Sequence, residues 1–115
     1  MKIIPARHWW VDWDSVMAIE HKSTRLLLAY FMDVVDQQVM VVDLATDAIK
    51  AAFHRQVLWE SLGELEKMGI IRRARAGRVW SMAWINPEVI RPWFWRDKGL
   101  AERVAAYKKI PGASE

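Results

Sequence analysis

One stretch, residues 54–87, constrains the fold of this chain more than any other. Its apolar residues recur at intervals of four, three and three: Leu58, Leu62, Leu65 and Met68. This spacing places a single apolar stripe along a helix. Gly69 follows directly and favours a helix end there, because glycine adopts the left-handed conformation without steric cost. The stretch therefore predicts a helix that stops at a glycine.

Two short segments with the composition of strands follow the glycine, IIRRARA and RVWSMAWI. The pair Ala76-Gly77 lies between them and suits a tight hairpin turn. Asn86-Pro87 ends the second strand, since proline cannot donate a hydrogen bond to a ladder. The order of helix, glycine stop, strand, turn and strand is the second half of a winged helix-turn-helix. The recognition helix falls at about 54–68 and the wing at about 70–86.

The preceding segments fit around this motif. Residues 43–53 predict the first helix of the helix-turn-helix pair, capped by Thr46 or Asp43, with the turn near 53–55. Residues 23–35 predict a core helix, because four apolar positions share one face: Leu27, Leu28, Phe31 and Val35. A short apolar strand is expected at 39–42.

The ends of the chain give weaker patterns. Residues 1–10 favour a short strand or an extended arm, and Asp12 or Asp14 is placed to cap a short helix that reaches 17–20. Residues 88–99 predict a loop or a single helical turn, and 97–109 predict a closing helix. The expected fold is one α+β domain, residues 1–115, a winged helix-turn-helix with a C-terminal helix.

Composition excludes several classes of function. The chain has no cysteine, which removes disulfides and thiolate metal sites. No run approaches the roughly 20 apolar residues that span a bilayer, and the N-terminus lacks a signal-peptide core. Three scattered histidines show no metal-binding spacing. We therefore expect a cytoplasmic protein that is not an enzyme, has no membrane association, and takes no cofactor or metal.

Positive charge is concentrated on the predicted hairpin. The net charge is +3, and residues 70–85 carry no acid but four arginines: Arg72, Arg73, Arg75 and Arg78. Arg75 and Arg78 flank the turn, where a wing contacts phosphates or the minor groove. Arg72 and Arg73 project to opposite faces of their strand, so one of them shares that surface. The alternative is a charged strand edge that discourages aggregation.

The predicted recognition helix has polar residues off its leucine stripe. Arg55 and Gln56 lie near its N-terminus and match the bidentate contacts that side chains make to guanine and adenine. The alternative is an ordinary amphipathic helix with a solvated face. The predicted DNA-binding residues are Thr46, Lys50, His54, Arg55, Gln56, Trp59, Arg73, Arg75 and Arg78.

Eight tryptophans are many for a chain of this length. Trp80 and Trp84 are four apart on a strand and are expected to face the core. Trp93 and Trp95 indicate either packing under the closing helix or a partner surface, and aromatic residues among arginines also stack on unpaired bases. Trp59 lies off the leucine stripe. It is expected either to contact DNA or a protein, or to be covered by the N-terminal arm.

The residues also resemble a known family. The run GELEKMGIIRR resembles the end of recognition helices in winged helix-turn-helix proteins, including MarR-type regulators. The succession STRLLLAYFMDVVDQQVMVVDL, WSMAWINP, EVI, Gly99 and a closing helix resembles RepL-like replication or maintenance proteins of small plasmids and related plasmid initiators, over roughly 10–107.

This resemblance implies a protein that binds double-stranded DNA at a plasmid site and supports replication or its control. It places Arg55, Gln56 and Trp59 in the recognition helix and Arg75 and Arg78 in the wing. Initiators often carry further segments, which leaves a small autoregulator or accessory factor open. Two alternatives are a transcriptional regulator of a plasmid or phage operon, and a winged protein-interaction module without DNA binding. Expected partners are a second copy of the chain, through the terminal helices or residues 93–95, and host replication or transcription proteins.

Overall fold

The computed structural model describes residues 9–36, 39–76, 79–93, 95 and 99–110, with the backbone alone for 75, 76 and 79–81. Within these residues the chain is a small α+β domain of five helices and five short strands. In chain order they are β1 (Trp9–Val11), α1 (Trp13–Met17), α2 (Lys22–Val34), β2 (Val41–Asp43), α3 (Asp47–Ala52), α4 (Arg55–Lys67), β3 (Ile71–Ala76), β4 (Val79–Ile85), β5 (Ile90–Pro92) and α5 (Leu100–Lys108).

A three-stranded antiparallel sheet lies at the centre, with the strand order β2–β4–β3. β3 and β4 are consecutive and form the predicted hairpin. Their register shifts between Ala74, which pairs with Met82, and Arg75, which pairs with Trp80, so that Ser81 is the extra residue of a bulge. β4 ends at Ile85, directly before Asn86-Pro87, as the sequence predicts.

The core forms where α2, α3 and α4 cover this sheet. The leucine stripe of α4 is buried as predicted, together with Phe31 of α2 and Ile49 of α3. Ala83 and Ile85 of β4 lie in the same core. Gly69 ends α4 with φ +76°. Its N–H donates to the Glu66 carbonyl, and the next N–H donates to the Leu65 carbonyl at 2.9 Å, the hydrogen bonds of a Schellman motif.

Several boundaries differ from the sequence-based expectations by a few residues. α3 begins at Asp47 rather than 43, because Asp43 ends β2 and Thr46 is the N-cap. α1 occupies the N-terminal part of the expected helix and ends at Met17. Its N-cap Asp12 makes no side-chain cap bond and instead accepts a hydrogen bond from Ser15 Oγ at 2.9 Å. Helix α5 begins at Leu100, whereas the closing helix is expected from 97, and residues 97–98 lie outside the described part of the chain.

The expected loop or helical turn at 88–99 is wrong for Ile90–Pro92, which form a strand. β5 pairs antiparallel with β1 in a separate two-stranded sheet, with Trp10 opposite Arg91. Three residues are too few to show an alternating pattern, and the partner strand is far away in sequence. Residues 1–8 of the expected arm lie outside the described part of the chain. Among the described helices, none has the length and apolar character needed to cross a membrane.

Candidate nucleic-acid interface

The turn between α3 and α4 is short and tightly capped. Phe53 and His54 join the two helices in extended conformations, which confirms the turn predicted near 53–55. His54 Nδ1 accepts a hydrogen bond from the Gln56 N–H at 3.2 Å, and Thr46 Oγ1 accepts one from the Ile49 N–H at 3.4 Å. Two predicted DNA-binding residues, Thr46 and His54, are therefore the N-caps that start α3 and α4.

One side of α4 remains open to solvent near its N-terminus. Arg55, Gln56 and Glu60 are exposed there, and we call these three residues the α4 outer face. Gln56 Nε2 donates to Glu60 Oε1 at 2.8 Å, one helical turn away. Lys50, in the last turn of α3, is also exposed. The structure therefore leaves accessible both residues predicted to read bases, Arg55 and Gln56.

The two acids in the second half of α4, Glu64 and Glu66, have partners within the protein. Glu64 turns toward the start of α2, where its carboxylate accepts hydrogen bonds from Thr24 Oγ1 at 2.6 Å and from the Glu20 N–H at 3.2 Å. His21 Nδ1 lies 3.0 Å from the same carboxylate. The Thr24 hydrogen bond is the main cause that lowers the pKa of Glu64, assisted by His21. The Glu64 charge therefore fastens α4 to α2.

This contact predicts a pH-dependent stability. A depressed pKa in the folded state stabilises the protein fully above the unfolded pKa of Glu, roughly 4.3, and that contribution disappears as the pH falls through the folded value. Glu64→Gln should therefore lower the free energy of unfolding at pH 7. The difference in this free energy between wild type and Glu64→Gln should narrow below about pH 4.3. Urea unfolding across pH 2.5–7 measures the gap, with Glu60→Gln as a control for charge loss on α4. A Glu64→Gln gap of constant size across this range would contradict the assignment.

Arg73 occupies a different position from the exposed contact that the sequence predicts. Its Nη2 lies 3.0 Å from Glu66 Oε1, and its backbone N–H donates to Glu66 Oε2 at 3.1 Å. The guanidinium carbon is 5.8 Å from the centroid of the Trp59 ring. Trp59 is partly buried against the core. Both partners of Arg73, the Trp59 ring and the Glu66 carboxylate, belong to α4. Arg73 joins β3 to α4.

Arg72 extends to the opposite side of β3, as the alternation of a strand predicts. Its Nη1 donates to the carbonyls of Lys108 and Ile110 at the end of α5, and its guanidinium carbon lies 5.4 Å from the centre of the Tyr107 ring. Burial raises the pKa of Tyr107. α5 therefore packs on the side of β3 away from α4, and Arg72 fixes it there.

The tip of the hairpin is described only in part. The backbone of Arg75 pairs with Trp80, and nothing is described of the Arg75 side chain. The predicted contact at Arg78 lies outside the described residues. What the structure establishes is that the chain around these two positions directly follows the segment held by Glu66.

Two tryptophans of the C-terminal half, Trp84 and Trp95, lie on the α5 side, and nothing is described of the Trp80 side chain. Trp84 does not face the main core as expected, because its neighbours Ala83 and Ile85 do, and adjacent strand residues point to opposite faces. It lines a cavity of about 190 Å³ with Trp95 and Tyr107. Trp95 is buried under α5, with the Arg103 guanidinium 3.4 Å from its ring centroid, as one of its two predicted roles requires. Trp93 is exposed.

Sequence reasoning missed the two glutamates with internal partners. Glu64 and Glu66 look like ordinary charged positions on a helix, and only packing distinguishes them from Glu60. One local signal exists for Glu66, because the glycine stop turns the chain back and brings residue 73 beside it. Within the described ranges, no three His, Asp or Glu side chains are grouped as a metal site.

Fold and site together define a small α+β domain in which a helix with an exposed polar N-terminal end is joined to a two-stranded hairpin through Glu66 and Arg73. Searches against models of protein families, curated proteins and solved structures found no match.

Proposed function

We propose that this chain is a winged helix-turn-helix domain that binds duplex DNA, with α4 in the major groove and the β3–β4 hairpin as the wing. The observation that carries the proposal is the order of elements around the sheet. α2, β2, α3, α4, β3 and β4 follow one another, the strands order as β2–β4–β3, and the N-terminal end of α4 stays exposed. A winged domain presents its recognition helix and wing in this order.

Each accessible side chain has a role in the proposal. Arg55 donates two hydrogen bonds to guanine and Gln56 bonds adenine, while Glu60 accepts from a cytosine amino group. Gln56 must exchange its present bond to Glu60 for the base. Lys50 lies near the sugar–phosphate backbone, and the caps Thr46 and His54 fix where the two helices begin. Trp59 and Arg73 support the helix rather than touch bases.

Charge distribution supports the same surface. Glu64 and Glu66 are engaged with α2 and β3, so Glu60 is the acid left on the α4 outer face. The hairpin carries arginines and no acid between Ile70 and Ile85. The one acid on this face can itself pair with an amino group of a base.

The test is a salt titration of binding to duplex DNA. Neutralising about four phosphates should give a slope of about −3.6 in a plot of log K against log salt. Arg75→Ala should weaken binding to every sequence alike and reduce the slope by about 0.9. Lys109→Ala is the matched control, because it removes one positive charge at the end of α5, on the far side of the sheet. Binding without salt dependence, or an equal loss in Lys109→Ala, would contradict the proposal.

The biological role proposed is replication of a plasmid or its control, which the resemblance of the sequence supports. A plasmid-maintenance assay tests it, since a transcriptional regulator would alter expression of an operon without altering plasmid copy number. Fold alone does not separate these roles, because both use the same DNA-binding parts.

A protein-interaction module is the second candidate function, and one observation favours it. Trp13 and Met17 are one turn apart on α1 and are 58 % and 68 % exposed. Exposed apolar side chains of this size are typical of contacts with another protein. A gel shift with random duplex at low salt separates the two functions, because an interaction module without DNA binding gives no shift.

The proposal includes a homodimer in the cytoplasm. One small domain covers a short site, whereas dimers read two half-sites about 34–36 Å apart on the duplex. Host replication or transcription proteins are the further partners proposed. Sedimentation of the protein with a two-half-site duplex measures the stoichiometry, and one chain per duplex at saturation would contradict the dimer.

A further inference from the structure

We infer that Glu66 and Arg73 are a positioning pair, which fixes the direction of the hairpin relative to α4 without contacting DNA. The inference rests on the proposed function, since it concerns how the two DNA-binding parts are held in register. It gives Arg73 a different role from the direct contact that the sequence predicts for it. DNA binding by the hairpin arginines would then depend on this pair, because the pair fixes the direction of the hairpin.

The first ground is the geometry of the carboxylate. Each oxygen of Glu66 takes a different group of the same residue, the backbone N–H of Arg73 at 3.1 Å and its Nη2 at 3.0 Å. β3 is an edge strand of its sheet, so the N–H groups directed away from β4 need another acceptor. Glu66 supplies one. The backbone bond ties the strand itself, and the side-chain bond adds charge.

The second ground is burial. The side chains of Arg73 and Glu66 are only 11 % and 13 % exposed. Trp59, two helical turns before Glu66 on the same side of α4, lies against the guanidinium. A largely buried ion pair between two elements resists separation, because removing either partner leaves the other charge partly desolvated. Reaching a phosphate would require Arg73 to leave both Glu66 and Trp59.

The third ground is the place of the pair along the strand. Arg72 holds the opposite face of β3 to the end of α5, so consecutive residues fix the strand from two sides. The bulge begins immediately beyond, between Ala74 and Arg75. The hairpin tip therefore starts from a base fixed at residues 72–73. A change at residues 72–73 would shift the hairpin tip, and with it Arg75, relative to the α4 outer face.

The experiment is a double-mutant cycle with Glu66→Gln, Arg73→Gln and the double variant, each tested for duplex affinity and salt slope. Glu66→Gln is the decisive variant. Loss of a negative charge should by electrostatics alone strengthen binding, whereas the positioning role predicts about tenfold weaker binding. Arg73→Gln should weaken binding similarly and leave the salt slope unchanged. The double variant should be no weaker than either single variant.

The matched control is Glu102→Gln, which removes the same charge from an exposed position on α5, outside the proposed DNA-binding surface. Urea unfolding gives the folded fraction, so that affinities are compared among folded molecules. Full affinity in folded Glu66→Gln would reduce the pair to a stability contact and overturn the inference. So would a fall of about 0.9 in the slope of Arg73→Gln, which indicates a phosphate contact.

Failure of the proposed function is separable from failure of this inference. If wild-type protein binds no duplex at low salt, the function is refuted, and amide hydrogen exchange then tests the pair. Glu66→Gln and Arg73→Gln should both speed exchange of the β3 amides several-fold, whereas Glu102→Gln should leave it unchanged. Equal exchange in all three variants would overturn the pairing.

Discussion

Arg55→Ala is expected to weaken binding to the preferred duplex by about 1–3 kcal/mol and to relax the preference at particular base pairs. Arg55 is the first residue of α4 and is exposed. In the proposed complex its guanidinium bonds both acceptors of a guanine, and a truncated side chain would leave those acceptors unpaired inside the groove. Fluorescence anisotropy with selected and randomised duplexes measures both effects.

The loss in Arg55→Ala should be larger on the selected duplex than on the randomised ones. Arg75→Ala provides the contrast, because a phosphate contact is lost equally on all sequences. An exposed side chain contributes little to folding, so thermal unfolding of Arg55→Ala should match that of wild type. Equal losses on specific and random duplexes for both variants would refute this division of roles.

Leu65→Ala is expected to lower the free energy of unfolding by about 2–5 kcal/mol. Leu65 has 0 % exposure, belongs to the central cluster and also provides the carbonyl that closes the C-terminal cap of α4. Its replacement leaves a cavity between the helix and the sheet, which rigid neighbours fill only in part. Urea unfolding with a common m-value measures the change.

Leu26→Ala is the control for this loss. Leu26 lies on α2 and is 55 % exposed, so the same truncation there should change the free energy of unfolding by only about 0.5 kcal/mol. The difference between the two variants isolates burial from helix propensity, because alanine favours both helices equally. Similar losses at both positions would mean that the leucine stripe of α4 is not the face that packs.

Local patterns accounted for the centre of the molecule. The leucine stripe, the stop at Gly69, the hairpin and the end at Asn86 were predictable, because each depends on residues within a few positions. Helix periodicity and the conformational freedom of glycine act locally, and here the tertiary structure agrees with them. The exposure of Arg55 and Gln56 followed from the same periodicity.

Contacts between distant segments were not predictable. The pairing of β1 with β5 joins residues 9–11 to residues 90–92, far apart in the sequence, and neither strand is long enough to show a pattern. Glu60, Glu64 and Glu66 all lie on α4. Glu64 nevertheless binds to α2 and Glu66 binds to β3. Sequence spacing gives the face of a helix but not which neighbour covers it. Trp84 likewise faces α5, because Ala83 and Ile85 on either side of it face the core and adjacent strand residues point to opposite faces.

The most direct measurement is a titration of ¹⁵N-labelled protein with a short duplex, read as shifts of the backbone amide signals. The proposal predicts that the largest shifts fall on the first two turns of α4 and on the residues around the hairpin turn, with α5 little affected. The shifts should fade as salt is added, in step with the loss of affinity. Largest shifts on α1 or α5, or no shifts at low salt, would contradict the binding of duplex DNA by this face.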